Sequence, residues 1–447
     1  MKMKAGNRHK FSLVAYLRLV HRKMPRKAYF MILAAAVGFA TGIACVVLKT
    51  LIKWVSHVML SHFHPEGNWI LLVLPVIGLT LVAIFCRYII RCQLSEGTDR
   101  LIKFLHKGGY RISGKLMFGP IIANVLTLGL GGSAGAEGPI AVTGASISGT
   151  LARCLGMTPH QIRIFIGCGA GAGIAAIFKA PVGGMLFALE ILQLPFTTFT
   201  VLALLLSCLA AALTCYIFTG FTFDVFLNSA EPFGAESYVA LAVFGVVAGL
   251  YSLFYNHSVR TAGRLLDRIS PVWGKILTAG TMLGILLYLF PALYGEGYGV
   301  MDSMLNGRID ALYDGTPISA GHGLGHIALI VGGILLFKGW AVGLTTKAGV
   351  AGDFAPTLFA GSLAGLLFAM VANHLCGCSL PVGDFALIGM CTVFAGVIRA
   401  PFMAMFLTPE MTGNFTLFLP MVLASALCYG VVRLVKSENF YHERFFK

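Results

Sequence analysis

A helical protein that crosses a membrane many times is predicted by three features of the sequence. Of its 447 residues 57% are apolar, only 11% are charged, and apolar runs recur that are long enough for the roughly 30 Å hydrocarbon layer. The charged share is less than half the roughly 25% of a soluble domain, and the mean hydropathy is +0.84. An all-α polytopic architecture follows, with the bilayer as solvent.

The chain begins with a basic tail, residues 1–28. Nine Lys or Arg lie between Met1 and Lys27, and the first acid is Glu66. By the positive-inside rule the tail is expected in the cytoplasm. The apolar run from Ala28 to Val47 is too long for a signal-peptide core and has no clear cleavage site, so it reads as an uncleaved first span. The formal charge of +15 is concentrated at the ends of apolar runs without interleaved stacking aromatics. That excludes nucleic acid as the expected partner and leaves the lipid bilayer. Eleven cysteines are scattered through apolar segments, and Cys376 and Cys378 lack a second pair or a nearby His. Neither a disulfide framework nor a metal site is implied. No catalytic constellation appears in the spans, so no enzyme activity and no cofactor is expected.

Apolar segments run at 29–53, 69–91, 117–130, 139–155, 163–178, 182–196, 199–219, 237–256, 275–290, 321–345, 356–373, 384–397 and 401–433. Several are too short to cross a bilayer alone. The polar stretch near 221–236 divides the chain into a repeat at 29–224, a linker at 225–236, a second repeat at 237–435 and a terminal segment at 436–447. The halves match in sequence. Gly169, Lys179-Ala180-Pro181, Met185 and Glu190 recur 220 residues later as Gly389, Arg399-Ala400-Pro401, Met405 and Glu410. Gly135-Ala136-Glu137-Gly138-Pro139 aligns with Gly352-Asp353-Phe354-Ala355-Pro356 at a spacing of 217. Duplicated halves with Gly/Pro-interrupted segments at matching positions are the pattern of a transporter whose site lies between the repeats. The paired bases and acids Lys179, Arg399, Glu190 and Glu410 read as buried hydrogen-bond or ion-pair partners, because ionisable groups at membrane depth need partners.

Glycine makes up 54 residues, about 12%, against roughly 7% in average usage. Part of that excess precedes Pro139, which suits the first turn of a helix. Bare N–H groups at such a positive helix end form an anion site, and Phe354-Ala355-Pro356 repeats the device. Partial charges hold an anion without trapping it. Glu137 stands in this loop, where its carboxylate competes with an anion and protonation releases the path. The turn-rich stretch Leu293–Gly299 carries no assigned role.

Gly-Ala-Glu-Gly-Pro at 135–139, Gly-Asp-Phe-Ala-Pro at 352–356 and the two Ala-Pro repeats resemble the CLC family of chloride channels and proton/chloride exchangers, in order from about residue 90 to Tyr441. The resemblance implies a homodimer with one anion path per subunit and two inverted repeats of tilted, broken helices. It implies Glu137 as the gating and proton-relaying acid. The amides of Ala136, Glu137 and Gly138 then form the outer anion site, those of Asp353 and Phe354 hold the central anion, and the Tyr441 hydroxyl reaches it from the cytoplasmic side. The family's first anion loop falls on Ser95-Glu96-Gly97, with Glu96 replacing its serine. Ile191 stands where many exchangers carry an internal proton-accepting Glu, which leaves Glu96 and Glu190 as candidates for an internal proton route. Asp353 replaces an apolar residue.

The expectation is chloride transport gated by a protonatable glutamate in a prokaryotic inner membrane, favouring proton/chloride antiport. That localisation rests on the chain ending at Lys447, without the regulatory domains of many eukaryotic members. A passive channel for chloride or another anion is the alternative. The acids Glu96, Glu137, Asp353, Glu190 and Glu410 also keep a cation or organic-solute carrier in view.

Overall fold

The computed structural model describes residues 25–60, 69–92, 94, 97–221, 233–318 and 323–435. The basic tail to residue 24, Ser95, Glu96, linker residues 225–232 and the segment 436–447 with Tyr441 lie outside the described residues. Among the described residues the regular structure is helical, and the β-type contact is an isolated antiparallel bridge between Gly135 and Gly352.

The first half contains α1 (Arg26–Leu60), α2 (Ile70–Ile84), α3 (Gly97–His106), α4 (Gly119–Gly129), α5 (Glu137–Cys154), α6 (Pro159–Phe178), α7 (Pro181–Leu186) and α8 (Thr198–Thr219). The second contains α9 (Ala235–Asp267), α10 (Val272–Leu289), α11 (Tyr298–Leu305), α12 (Leu324–Ala348), α13 (Phe354–Cys376), α14 (Val382–Ile398), α15 (Pro401–Thr412) and α16 (Phe418–Val435). Nine helices among the described residues are long and apolar enough to cross a membrane, while α4, α7 with its π-helical extension to Ile191, and α14 are shorter. At 1.5 Å per residue, the 35 residues of α1 run about 52 Å, so this helix is tilted or overshoots the bilayer.

Two boundaries differ from the sequence expectation. The apolar run 401–433 is two helices, because Gly413 takes a left-handed φ of +70° and ends α15 before α16 begins. The segment expected at 237–256 continues as helix to Asp267, because Val259, Ala262 and Leu266 keep a buried apolar stripe at helical spacing through its last turns.

The duplicated Lys/Arg-Ala-Pro string has one local cause in both halves. Lys179 ends α6 and Arg399 ends α14 in the left-handed conformation, at φ 55° and 60°. Ala180 and Ala400 are held out of the α region by the proline that follows, and Pro181 and Pro401 open α7 and α15. Each half then sends its carboxylate to the other's new helix. Glu190 accepts from Phe402 N at 3.3 Å and Met403 N at 2.8 Å, while Glu410 accepts from Val182 N at 3.1 Å and Gly183 N at 2.9 Å. The expectation that these acids are hydrogen-bond partners is met reciprocally, although both are half-buried rather than buried.

The core is a pair of tight antiparallel helix hairpins, α5 with α6 and α13 with α14. Gly144 meets Gly169 so closely that a Cβ on either would run into the other's carbonyl oxygen, and Gly361 and Gly389 repeat the contact at the spacings 217 and 220. Small residues allow such approach where lipid tails supply no hydrophobic drive between helices. Burial follows the same order: 89% of the most apolar window of α6 is buried, against 39% for α2 with its extension to Ile90, so the glycine-rich helices form the centre and α2 lies at the periphery.

Candidate functional site

The two loops identified by their glycines meet at the middle of the molecule. Gly135 N donates to Gly352 O at 2.8 Å and Gly352 N donates back to Gly135 O at 2.7 Å. This pairing joins equivalent positions of the two halves. Residues from each half fasten the other's loop. Asn124 Nδ2 donates to Val350 O at 2.8 Å, and Val350 N donates to Thr127 Oγ1 at 3.1 Å. In return Ser133 N donates to Thr345 Oγ1 at 3.1 Å.

Helix starts converge around this bridge. Glu137 and Gly138 open α5, with Pro139 in its first turn, and Phe354 to Pro356 open α13. Gly97 and Thr98 open α3 against Gly138, so that a Cβ on Gly138 would lie 3.2 Å from Thr98 Oγ1. Three N-termini therefore bring donor-rich, positive ends together. A cavity of about 270 Å³ adjoins them, lined by Gly97, Pro139 and Val350 and by the bases Arg100 and Arg111.

The Glu137 side chain occupies the space between α5 and α13. It is fully buried, and its Oε1 accepts from Ala355 N at 2.6 Å. Among the described residues its other oxygen, Oε2, has no hydrogen-bond partner. Gly135 and Gly352 cradle the carboxylate, for a Cβ on either would collide with it. A buried carboxylate with half its acceptor capacity unmet is costly to maintain, and its environment of helix-end donors is the one a mobile anion would use.

Of the residues singled out in the sequence, Ala136, Glu137, Gly138, Gly97, Asp353 and Phe354 come together here. Asp353 is the N-cap of α13, and its carbonyl accepts from Thr357 Oγ1 at 2.5 Å. Phe354 is buried, edge-on to Phe187 and Phe394. Glu190 stands apart from this group, with both oxygens engaged at the start of α15.

Two functional candidates escaped the sequence reading. Glu296, in the stretch left without a role, accepts from Ala136 N at 3.0 Å through Oε1. Lys338, in the middle of α12, is fully buried and donates to Ser133 Oγ at 3.0 Å. A lone Lys inside the apolar run Ile334–Leu344 was the available signal for one, and an acid between two glycines, Gly295-Glu296-Gly297, for the other.

With this geometry in view, the profile of the voltage gated chloride channel family matches residues 78–433. Relatives include a protein described as the voltage-gated ClC-type chloride channel ClcB of Citrobacter koseri, 27% identical over 72% of this chain and 74% of its own length. A putative chloride channel protein, ClcB-like, of Ralstonia nicotianae is 24% identical over 83% and 85%. Among solved structures, a slow cyanobacterial Cl−/H+ antiporter superposes with a TM-score of 0.78 at 22% identity, covering 94% of this chain and 97% of that one. A CLC-type fluoride/proton antiporter superposes with a TM-score of 0.72 at 22% identity, covering 91% and 96%. The fold is thus the CLC arrangement of two inverted repeats with broken helices. This chain belongs to the voltage gated chloride channel (CLC) family, a multi-pass membrane protein for transport rather than an enzyme.

Proposed function

We propose that this protein moves chloride across the membrane by proton-coupled antiport, with Glu137 as the gate. The observation that carries the reading is the buried Glu137 carboxylate held on Ala355 N–H, with its second oxygen unsatisfied, between two helix starts. Ionised, the side chain fills the anion's position. Neutralised by a proton, it loses its hold on the helix-end donors, and an anion takes them. The amides of Ala136, Glu137 and Gly138 then receive the anion on one side, and those of Asp353 and Phe354 at the centre. Ser95, Glu96, Gly97 and Tyr441 complete the path on the inner side, where Arg100 and Arg111 raise the local anion concentration.

The protein works as a homodimer in the inner membrane with its N-terminus in the cytoplasm, as the family resemblance and the basic tail suggest. A specific observation favours a second reading, passive conduction. Ile191 stands where an internal proton acceptor is expected, and both oxygens of Glu190 are engaged in capping α15. On the antiport reading the inner proton step then falls to Glu96.

Purified protein in chloride-loaded liposomes separates these readings. Native protein moves chloride outward when a counter-ion path is supplied, faster as the pH falls, and a chloride gradient drives proton uptake. Glu137→Gln keeps the shape of the side chain and removes its charge. Its chloride flux at neutral pH rises about tenfold, because the amide stands in for the protonated acid at every pH, and proton movement is lost. Chloride flux without proton movement in the native protein means a channel. Cation flux alone overturns the anion reading.

A further inference from the structure

A second carboxylate sits on the anion path, and the fold spends a whole segment to hold it there. The segment Pro291–Tyr298 is fastened at three points to the stretch that joins α4 to α5. Tyr294 Oη donates to Gly129 O at 2.8 Å, Gly295 N donates to Gly132 O at 2.8 Å, and Ala136 N donates to Glu296 Oε1 at 3.0 Å. Gly297, at φ 89°, turns the chain into α11 immediately after, and a Cβ there would lie 2.7 Å from the Phe359 ring. The acid is therefore delivered on a short, fixed arm.

The amide it occupies is one of the donors assigned above to the outer anion site. Glu137 takes a donor of α13 while Glu296 takes the donor just before α5, so each of the two facing helix starts already carries a protein carboxylate. Glu137 is fully buried with an orphaned oxygen, whereas Glu296 is only half-buried, within reach of water. Lys338 ties the same parts together from behind. Its ammonium donates to Ser133 Oγ and to Leu293 O at 3.4 Å and lies 4.9 Å from the Phe359 ring centroid. Among the described residues no carboxylate lies within ion-pair distance of it, so its charge balances the acids at longer range. Glu137 of α5 and Lys338 of α12 are close enough to Glu296 to interact with its charge, Asp353 at the start of α13 and Tyr255 of α9 stand in turn around Glu137, and Tyr294 and Tyr298 flank Glu296 on its own segment.

We infer that Glu296 is a second gating carboxylate, which must release the Ala136 amide before an anion fills the outer site, so that opening requires two neutralised acids rather than one. This rests on the gating role proposed for Glu137. Opening by two protons has a steeper dependence on pH than opening by one, for which the limit is about a tenfold change per pH unit. Lys338 offsets part of the combined negative charge and keeps both acids on their donors at rest.

The test compares native protein, Glu137→Gln, Glu296→Gln and the double variant by chloride flux in liposomes from about pH 4.5 to about pH 7.5, a range spanning ordinary carboxyl titration and its displacement by burial. Glutamine at 296 retains an acceptor for Ala136 N–H, so a purely structural role leaves its profile native. On the two-carboxylate gate, native flux climbs more steeply than the one-proton limit. Each single variant keeps a shallower rise, and the double variant is flat to within about twofold. Glu296→Ala, checked for a native elution volume in detergent, raises neutral-pH flux further. The inference is overturned if Glu296→Gln matches the native profile, or if Glu137→Gln is already flat. Absence of anion flux in the native protein at every pH removes the reading beneath it as well, and is distinguished by the native trace alone.

Discussion

Carboxylates sit on helix starts in two regions of this molecule, with different degrees of satisfaction. At α7 and α15, Glu410 and Glu190 each accept two backbone N–H bonds from the opposite half. At the start of α13, Glu137 accepts one such bond, and its other oxygen is buried without a partner. The first arrangement is closed in the sense that every acceptor is used, and nothing is gained by leaving. The second holds its acid incompletely, and in the proposed mechanism a competing anion takes its place. One device, a negative side chain on a positive helix end, is thus a complete fastening in one place and, in the proposed mechanism, an exchangeable occupant in the other.

The largest effect expected from breaking this contrast is on stability. Glu410→Ala strips Val182 and Gly183 of their acceptor, and charged hydrogen bonds lost at a part-buried site cost about 3 kcal/mol together. Thermal unfolding in detergent should show it, whereas Glu137→Ala, which also removes an orphaned oxygen, stays within about 1 kcal/mol of native. Equal losses in both variants would dissolve the distinction.

Next in size is the cradle of the gate. In Gly352→Ala the new Cβ would lie 2.8 Å from Glu137 Oε2 and 2.9 Å from Gly138 N. The carboxylate is expelled with its chemistry intact, and neutral-pH chloride flux is expected to rise about fivefold with a flatter pH profile. Unchanged flux would mean that the observed position of Glu137 does not block the path. The smallest effect is expected from Glu190→Gln. It keeps one acceptor oxygen, lowers stability by about 1 kcal/mol and leaves proton coupling in the flux assay as it was. Loss of coupling there would restore Glu190 to the internal proton route.

The spacing of 220 residues found in the sequence corresponds to physical equivalence at the matched glycine, base-Ala-Pro and glutamate positions. Gly169 and Gly389 line close helix contacts, Lys179 and Arg399 turn left-handed, and Glu190 and Glu410 cap the opposite half. Local rules sufficed there, because a base-Ala-Pro string stops one helix and starts another wherever it occurs. Glu137 was legible for the same reason, as an acid between glycines at a helix start. Glu296 was not. It pairs with an amide 160 residues away, and no local pattern encodes which loop a turn will dock against. Lys338 escaped because a single base hardly lowers the hydropathy of a long apolar run, although its burial against Ser133 and Phe359 is specific. The break at Gly413 was hidden inside continuous apolar sequence, where hydropathy reports the solvent and not the backbone direction.

The reciprocal caps also have a consequence for synthesis. The Val182 amide obtains its acceptor from Glu410, 228 residues further along the chain. At about 5–20 residues per second, the ribosome delivers that acceptor roughly ten to fifty seconds after the helix it completes. Until then the Val182 and Gly183 amides lack the acceptor they have in the finished fold, so this part of the first half is completed by the second.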